Sequence, residues 1–114
     1  MGKKVFFLFL FCSFLLNAHA PKSIDLSYDG EKATLTVKVW HNVSNPENHY
    51  IKKIVVFLSE EQIAEKTYER QQTAAYQEET FVFNEKHLQK GDPVKVRAYC
   101  SIFGKKTVDL EWKD

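Results

Sequence analysis

The stretch 90–104 constrains the fold more than any other part of the chain, because it combines a turn, a strand and a second turn. Gly91 and Pro93 favour the first turn, since glycine accepts unusual φ angles and proline fixes φ and lacks an amide hydrogen. From 94 to 100, small apolar side chains alternate with polar or amphipathic ones. This period of two is typical of a strand with one buried face. The sequence therefore predicts that Cys100 ends an inward-facing row and meets a loop.

Similar short runs, separated by turn signals, recur along the chain. Asp29-Gly30 is a hairpin signal between the first two runs, and 59–62 and 84–91 are predicted as a turn and a connection. The expected strands are 24–28, 34–41, 50–58, 66–70, 80–83, 94–100 and 108–112. About seven short strands without an internal repeat predict an all-β fold, an immunoglobulin-like antiparallel β-sandwich.

The first twenty residues have the pattern of a secretory signal peptide. Lys3 and Lys4 precede an apolar run over 5–16, and Ala18-His19-Ala20 is a small-x-small cleavage signal. The run is short for a membrane span. We expect cleavage after Ala20, a secreted or periplasmic protein, and one domain over 21–114. Because Pro21 is a poor residue after a cleavage site, a shifted cut or an uncleaved anchor is the alternative.

Loss of the leader changes both the charge and the cysteine count. Two of the 16 basic residues leave with it, so 14 remain against 15 acidic residues. This near-neutral balance gives no reason to expect nucleic acid or an anionic membrane as partner. Cys12 also leaves, so Cys100 is alone in an oxidising compartment that normally pairs thiols. It is then buried and inert, protected by a metal, or bonded to another chain.

Two histidines join Cys100 as candidate metal ligands. His41 has the same parity as the inward row of the second strand and ends it, and His49 follows a polar loop that can reach over the end of a sandwich. Thiolate and imidazole ligands suit iron, copper or zinc. A blue copper site is excluded, because no histidine follows Cys100 and the only methionine is Met1. Structural zinc and hydrolase sites are poorly supported, since there is no Cys-x-x-Cys pair and no nucleophile elbow.

Two segments resemble a known family. The run LxxGDxVxVRAYCSIxG at 88–104 resembles the end of the superoxide reductase (desulfoferrodoxin, neelaredoxin) iron domain, and NPENHYIxxI at 45–54 resembles its histidine loop. The resemblance implies a β-sandwich with one mononuclear iron, held by four histidines and an axial cysteine, that reduces superoxide to hydrogen peroxide with electrons from an external donor. By position, Cys100 matches the cysteine and His49 matches one histidine. His41 matches another, with a loop about two residues longer.

The chain departs from the family pattern at two places. Phe103 stands where the family's Cys-x-x-His-Gly pattern has a histidine, and the early Glu-Lys-His segment is missing, since Glu31-Lys32 is followed by Ala33. His87 is expected to be a surface residue rather than a ligand, and Glu47 a solvated loop carboxylate. Four lysines flank the candidate site and are either anion-attracting or simply exposed: Lys52, Lys53, Lys105 and Lys106.

These observations lead to three hypotheses about function. The first is an exported superoxide reductase-like protein with a degenerate iron site of His41, His49 and Cys100, in which enzymatic reduction of superoxide stays an open question. The second is a non-catalytic module that binds a protein partner, similar to the sulfur-oxidation carrier subunit of the SoxZ type. The third is a descendant that has lost its metal and keeps only the fold.

Overall fold

The computed structural model of this chain describes residues 20–83 and 88–112. The expected leader falls on 1–19 apart from Ala20, and His87 falls on 84–87, so both predictions lie outside the described residues. The described residues form seven strands: β1 (Ser23–Asp29), β2 (Thr34–Trp40), β3 (Ile51–Leu58), β4 (Glu61–Thr67), β5 (Tyr76–Val82), β6 (Val94–Cys100) and β7 (Lys105–Asp109). In this part of the chain no helix is long and apolar enough to span a membrane.

The strands form two antiparallel sheets. One has the order β1-β2-β5 and the other the order β4-β3-β6-β7. The chain crosses from one sheet to the other after β2, after β4 and after β5, which is compatible with an immunoglobulin-like sandwich. β4 lies at the sheet edge beside β3. The predicted all-β fold of about seven strands is confirmed.

The core lies between the inward rows of the two sheets. In β2 the row is Leu35, Val37 and Val39, each fully buried, and it faces matching rows from β3 and β6. Full burial of a side chain of this size contributes about 1.5–3 kcal/mol, so these alternating positions dominate the stability of the domain. The other core rows are Ile54 and Val56 in β3, and Val94, Val96 and Ala98 in β6.

The first hairpin forms at the predicted Asp29-Gly30 signal, but residues 30–33 separate the paired ends of its strands. Asp29 is the last residue of β1, and its side-chain oxygen accepts hydrogen bonds from the amides of Glu31 (3.0 Å) and Lys32 (3.3 Å). Asp29 pairs with Thr34, which opens β2. This hairpin lies at the end of the sandwich opposite His41, because β2 runs away from it.

The prediction of an edge strand at 66–70 is wrong in its bounds. Pairing begins at Glu61, directly opposite Leu58, because Ser59 adopts a positive φ of 57° and closes a two-residue turn with Glu60. The strand then ends at Thr67. Its apolar positions are few because an edge strand exposes much of its surface, so the alternation that identifies buried strands is absent.

Two other predicted strands are also displaced. The strand expected at 80–83 begins earlier, at Tyr76, since it is an edge strand and its first residues are mostly polar. The strand expected at 108–112 is Lys105–Asp109, because its ladder with β6 ends where β6 begins. Leu110 and Trp112 instead pack on the core beyond the ladder.

Candidate metal centre

His41 directly follows β2 and closes its inward row. Its side chain is buried, with 2% of its surface exposed. Its amide donates to the carbonyl of Ala75 at 2.9 Å, which ties the end of β2 to the loop before β5. The sequence placed His41 at the end of an inward row, and the structure places it there.

His49 is carried over the same end of the sandwich by the loop between β2 and β3. The turn is organised by Asn45, whose carbonyl accepts hydrogen bonds from the amides of Asn48 (3.1 Å) and His49 (3.0 Å). The Asn45 side chain accepts a third, from Glu47 at 2.9 Å. The asparagine and proline of this loop therefore make a fixed turn that points the His49 ring at the sheet end.

Cys100 ends β6, is 3% exposed and forms no disulfide within the described residues. It pairs with Ile51, next to an irregularity in the β3–β6 register. Its amide donates to the carbonyl of Gly104 at 2.9 Å, and the amide of Ile102 donates to its sulfur at 3.4 Å. The tight turn requires the φ of 96° that Gly104 adopts, a conformation that favours glycine.

Two further hydrogen bonds lock the histidine loop to the cysteine turn. The Ser101 amide donates to the Tyr50 carbonyl at 2.8 Å, and the Tyr50 amide donates to the Ser101 hydroxyl at 3.1 Å. Since Tyr50 follows His49 and Ser101 follows Cys100, this pair fixes the two candidate ligands relative to each other.

The structure brings all three predicted ligands together. One donor atom from each of His41, His49 and Cys100 lies within 4.8 Å of the other two. Nε2 of His49 is 3.1 Å from Sγ of Cys100. The ring centroids of His41 and His49 are 4.7 Å apart, and the two ring planes are nearly perpendicular, at 87°. The residues come from both sheets, with His41 after a strand of the three-stranded sheet and Cys100 in the four-stranded sheet.

These separations fit the bond lengths of a transition metal. Imidazole and thiolate ligands at about 2.1 and 2.3 Å from one ion, at right angles, lie about 3.1 Å apart. Ligands on opposite sides of an ion lie about 4.2–4.4 Å apart. The widest pair, within 4.8 Å, fits two such positions after closing by about 0.4–0.6 Å. The donor set therefore fits one metal ion with several positions left to other ligands.

Gln71 is a component of this region that sequence reasoning missed. It is 2% exposed, and its side-chain oxygen lies 2.8 Å from Nδ1 of His41. No sequence signal distinguishes it, because it sits in a polar run between β4 and β5 that resembles a solvent-exposed loop. It is buried only because the loop between β2 and β3 and the loop between β4 and β5 pack together at this end of the sandwich.

An open hollow of about 440 Å³ adjoins Cys100. Lys52 and Lys105 line it, and no carboxylate among the described residues lies within 4.0 Å of either ammonium group. Ile102 and Phe103, 54% and 53% exposed, also line it. A mostly apolar hollow with cationic groups at its edge attracts small anions.

The pKa of Tyr99, which lies beside this hollow, is lowered by neighbouring positive charges. The hydrogen bond from Arg97, with the guanidinium nitrogen 3.4 Å from the phenol oxygen, lowers the pKa of Tyr99. The charges of Arg97, Lys53 and Lys105 act in the same direction, while partial burial opposes them. Lys53 also lies over the Tyr99 ring, 4.8 Å from its centroid.

Other candidates from the sequence do not join the centre. Glu47 forms an exposed ion pair with Arg70 at 3.2 Å, as expected of a solvated loop carboxylate. Lys53 pairs with Glu65 at 3.9 Å, and Lys106 is absent from the hollow's lining. Glu31 and Lys32 lie in the hairpin at the opposite end of the sandwich.

Comparison with known proteins shows likeness at the level of fold. No family model and no curated protein matches the chain. Among solved structures, the superoxide reductase (neelaredoxin) from Ignicoccus hospitalis aligns with a TM-score of 0.51 and 12% identity over 82% of both chains. Two variants of that protein align with TM-scores of 0.50, at 13% identity over 80% and 12% identity over 82% of each chain. The chain thus has a neelaredoxin-like fold and a His/Cys group that could hold a metal ion.

Proposed function

We propose that this protein is an exported, superoxide reductase-like metal-binding protein in which His41, His49 and Cys100 hold one iron ion. The observation that carries the proposal is the convergence of three donor atoms within 4.8 Å, including the 3.1 Å contact between His49 and Cys100. The likeness to neelaredoxins at 12–13% identity supports the choice of iron among the metals that this donor set suits.

The protein groups around the centre have roles that follow from their chemistry. Cys100 would supply the thiolate and the two histidines neutral imidazoles, while the amide of Ile102 stabilises charge on the sulfur. Lys52 and Lys105 would draw an anion such as superoxide into the hollow. Ferrous iron held by these residues would supply the one electron that, with two protons, converts superoxide to hydrogen peroxide.

The catalytic rate is proposed to be low. Phe103 cannot act as a ligand, and within the described residues the metal-ligating group contains two histidines and one cysteine. Fewer imidazoles change the iron potential and leave its binding weaker than in a five-ligand site. We therefore propose metal association as the main property, with superoxide as substrate and an external electron donor for whatever turnover occurs.

Titration with ferrous iron under anaerobic conditions tests the proposal. We expect one iron per chain in the unaltered protein, and loss of binding in Cys100→Ser and His49→Ala. His87→Ala is the matched control, since it removes a histidine from outside the proposed ligand set and should bind iron like the parent. Equal iron binding by Cys100→Ser and the parent protein would overturn the assignment.

A partner-binding module without metal is the second candidate. The observation that favours it is the exposure of two adjacent large apolar side chains, Ile102 and Phe103, at the edge of the hollow. This function predicts a folded protein that contains no metal after purification from the exported fraction and takes up none on titration. Elemental analysis of that fraction separates the two candidates.

A further inference from the structure

Gln71 sits where the segments that carry the two candidate histidine ligands meet. Its backbone amide donates to the carbonyl of Pro46 at 3.0 Å, in the loop that carries His49. Its side-chain nitrogen donates to the carbonyls of His41 and Thr73, both at 2.8 Å. Its side-chain oxygen accepts from the amide of Ile51 at 3.2 Å. A buried amide with all of these partners has one fixed position.

The same contacts determine which way the Gln71 amide points. Carbonyl oxygens only accept hydrogen bonds, so the side-chain atom facing His41 O and Thr73 O must be the NH₂ group. A flipped amide would place oxygen against two carbonyls and NH₂ against the amide hydrogen of Ile51. The side-chain oxygen therefore faces Nδ1 of His41, 2.8 Å away.

We propose that Gln71 is a positioning residue that fixes His41 as the Nδ1–H tautomer and thereby presents Nε2 as the nitrogen for the metal. A carbonyl-type oxygen 2.8 Å from Nδ1 requires a hydrogen on that nitrogen. In a neutral imidazole the other nitrogen then carries the lone pair. Hydrogen bonds of this kind to the distal nitrogen of a metal-ligating histidine set both its tautomer and its ring orientation. The inference rests on the proposed metal function and deepens it.

The tautomer of His41 in the metal-free protein tests the proposal directly. In the unaltered protein, two-dimensional ¹⁵N–¹H spectra of the imidazole should show a proton on Nδ1. In Gln71→Met, which keeps the length of the side chain and removes its hydrogen bonds, the proton should redistribute towards Nε2. A proton on Nε2 of His41 in the unaltered, metal-free protein would overturn the proposal, and this measurement needs no variant that folds.

Cobalt(II) binding provides the second readout, with Gln77→Met as a matched control. Gln77 is also a buried glutamine, 7% exposed, and its side-chain oxygen accepts from the amide of Gln72 at 2.8 Å in the same loop. We expect Gln71→Met to weaken cobalt binding about 10–100-fold and to alter the thiolate-to-metal absorption. Gln77→Met should leave both unchanged. Equal affinity in the two variants would contradict the positioning role.

The two readouts separate this proposal from the proposed function. A proton on Nδ1 together with no cobalt or iron binding would overturn the metal function and uphold the assignment of the hydrogen bond. Metal binding by a protein whose His41 carries its proton on Nε2 would uphold the metal function and overturn the role of Gln71.

Discussion

At the level of single residues, Phe103 limits the number of imidazole ligands that the proposed metal centre can have. It occupies the turn that follows Cys100 and lines the hollow beside the sulfur, with 53% of its surface exposed. A histidine there would add an imidazole next to the thiolate. We expect Phe103→His to tighten iron binding by about tenfold or more, because losing even a residue that only hydrogen-bonds to a metal ligand changes metal affinity about 10–100-fold. The variant should also show thiolate-to-iron absorption.

Ile102→His is the control for this prediction. Ile102 is in the same turn, is 54% exposed and lines the same hollow, so the substitution adds an imidazole one position away from the assigned one. Anaerobic iron titration of both variants gives the comparison. If Ile102→His gains as much affinity as Phe103→His, or if neither gains any, Phe103 is not at a ligand position.

Two tyrosines should titrate far apart, for opposite electrostatic reasons. The hydrogen bond and charge of Arg97 lower the pKa of Tyr99. Burial raises the pKa of Tyr68 above its ordinary range, and the 2.7 Å hydrogen bond that its phenol donates to Glu79 adds to the increase. In an alkaline titration followed by tyrosinate absorption, we expect the transition that Tyr99→Phe removes to come first and the one that Tyr68→Phe removes to come last.

The two pKa shifts change the free energy of unfolding in opposite directions as the pH rises. The folded state releases the Tyr99 proton at lower pH than the unfolded chain, so the contribution of Tyr99 to the free energy of unfolding grows as the pH rises between the two pKa values. For Tyr68 the unfolded chain releases the proton first, so its contribution decreases as the pH rises above the unfolded pKa. Arg97→Ala should move the Tyr99 transition back towards the ordinary value; an unmoved transition would contradict the cause assigned here.

At the scale of structural elements, the turn at Gly104 sets the position of the cysteine. Gly104 has a φ of 96°, in the left-handed region that favours glycine. The left-handed conformation alone costs a residue with a Cβ about 1–3 kcal/mol. We expect Gly104→Ala to lower the free energy of unfolding by that amount and to weaken metal binding, because the amide–sulfur contact of the turn is disturbed.

Gly30→Ala provides the comparison for Gly104→Ala. A Cβ at Gly30 would meet no atom within 4 Å, and the backbone there has no positive φ. Because alanine restricts the unfolded chain, this variant should be neutral or more stable by up to about 1 kcal/mol. Chemical denaturation of the two variants checks both values; equal stability would show that the 101–104 turn does not require glycine.

The strands that the sequence predicts well are those with a buried row. Alternation identified β2 and β6 because every second side chain in each strand faces the core. These side chains are Leu35, Val37 and Val39 in β2, and Val94 and Val96 in β6. It located His41 and Cys100 for the same reason, since both continue those rows. The edge strands β4 and β5 were misplaced because their exposed surface carries polar residues that do not alternate with apolar ones.

The contacts that close the candidate site depend on distant parts of the chain. Gln71 meets His41 across thirty positions in the sequence, and His49 meets Cys100 across fifty-one. The second pair was predictable because each residue carries a chemical signal and a place in the fold. Gln71 was not, because an amide side chain in a polar run is buried only by the way the loops close.

At the scale of the whole molecule, a metal ion would connect the two sheets. His41 follows a strand of the three-stranded sheet and Cys100 belongs to the four-stranded one. Binding to the folded state alone stabilises it, by about 2.7 kcal/mol when the free metal is at 100 times its dissociation constant. For a domain of this size we expect the Tm to rise by roughly 10–20 °C. Calorimetry with cobalt(II) should show this rise in the parent protein and none in Cys100→Ser.

Turnover of superoxide is expected to be slow for the molecule as a whole. Lys52 and Lys105 line the hollow beside Cys100. Within the described residues, however, the candidate ligand group contains two histidines and one cysteine. Pulse radiolysis of the iron-loaded protein measures the rate of superoxide consumption. A rate near the diffusion limit, about 10⁸–10⁹ M⁻¹s⁻¹, that disappears in Cys100→Ser would contradict the expectation of slow turnover.

X-ray absorption spectroscopy of the iron-loaded protein identifies the atoms bound to the metal, so it tests whether His41, His49 and Cys100 are its ligands. We expect one sulfur at about 2.3 Å and two imidazole nitrogens at about 2.1 Å, with oxygen ligands in the other positions. The sulfur contribution should vanish in Cys100→Ser, and the imidazole contribution should fall in His41→Ala and His49→Ala. A first shell of oxygen atoms alone, with no sulfur and no imidazole in the parent protein, would contradict the claim that His41, His49 and Cys100 form a metal centre.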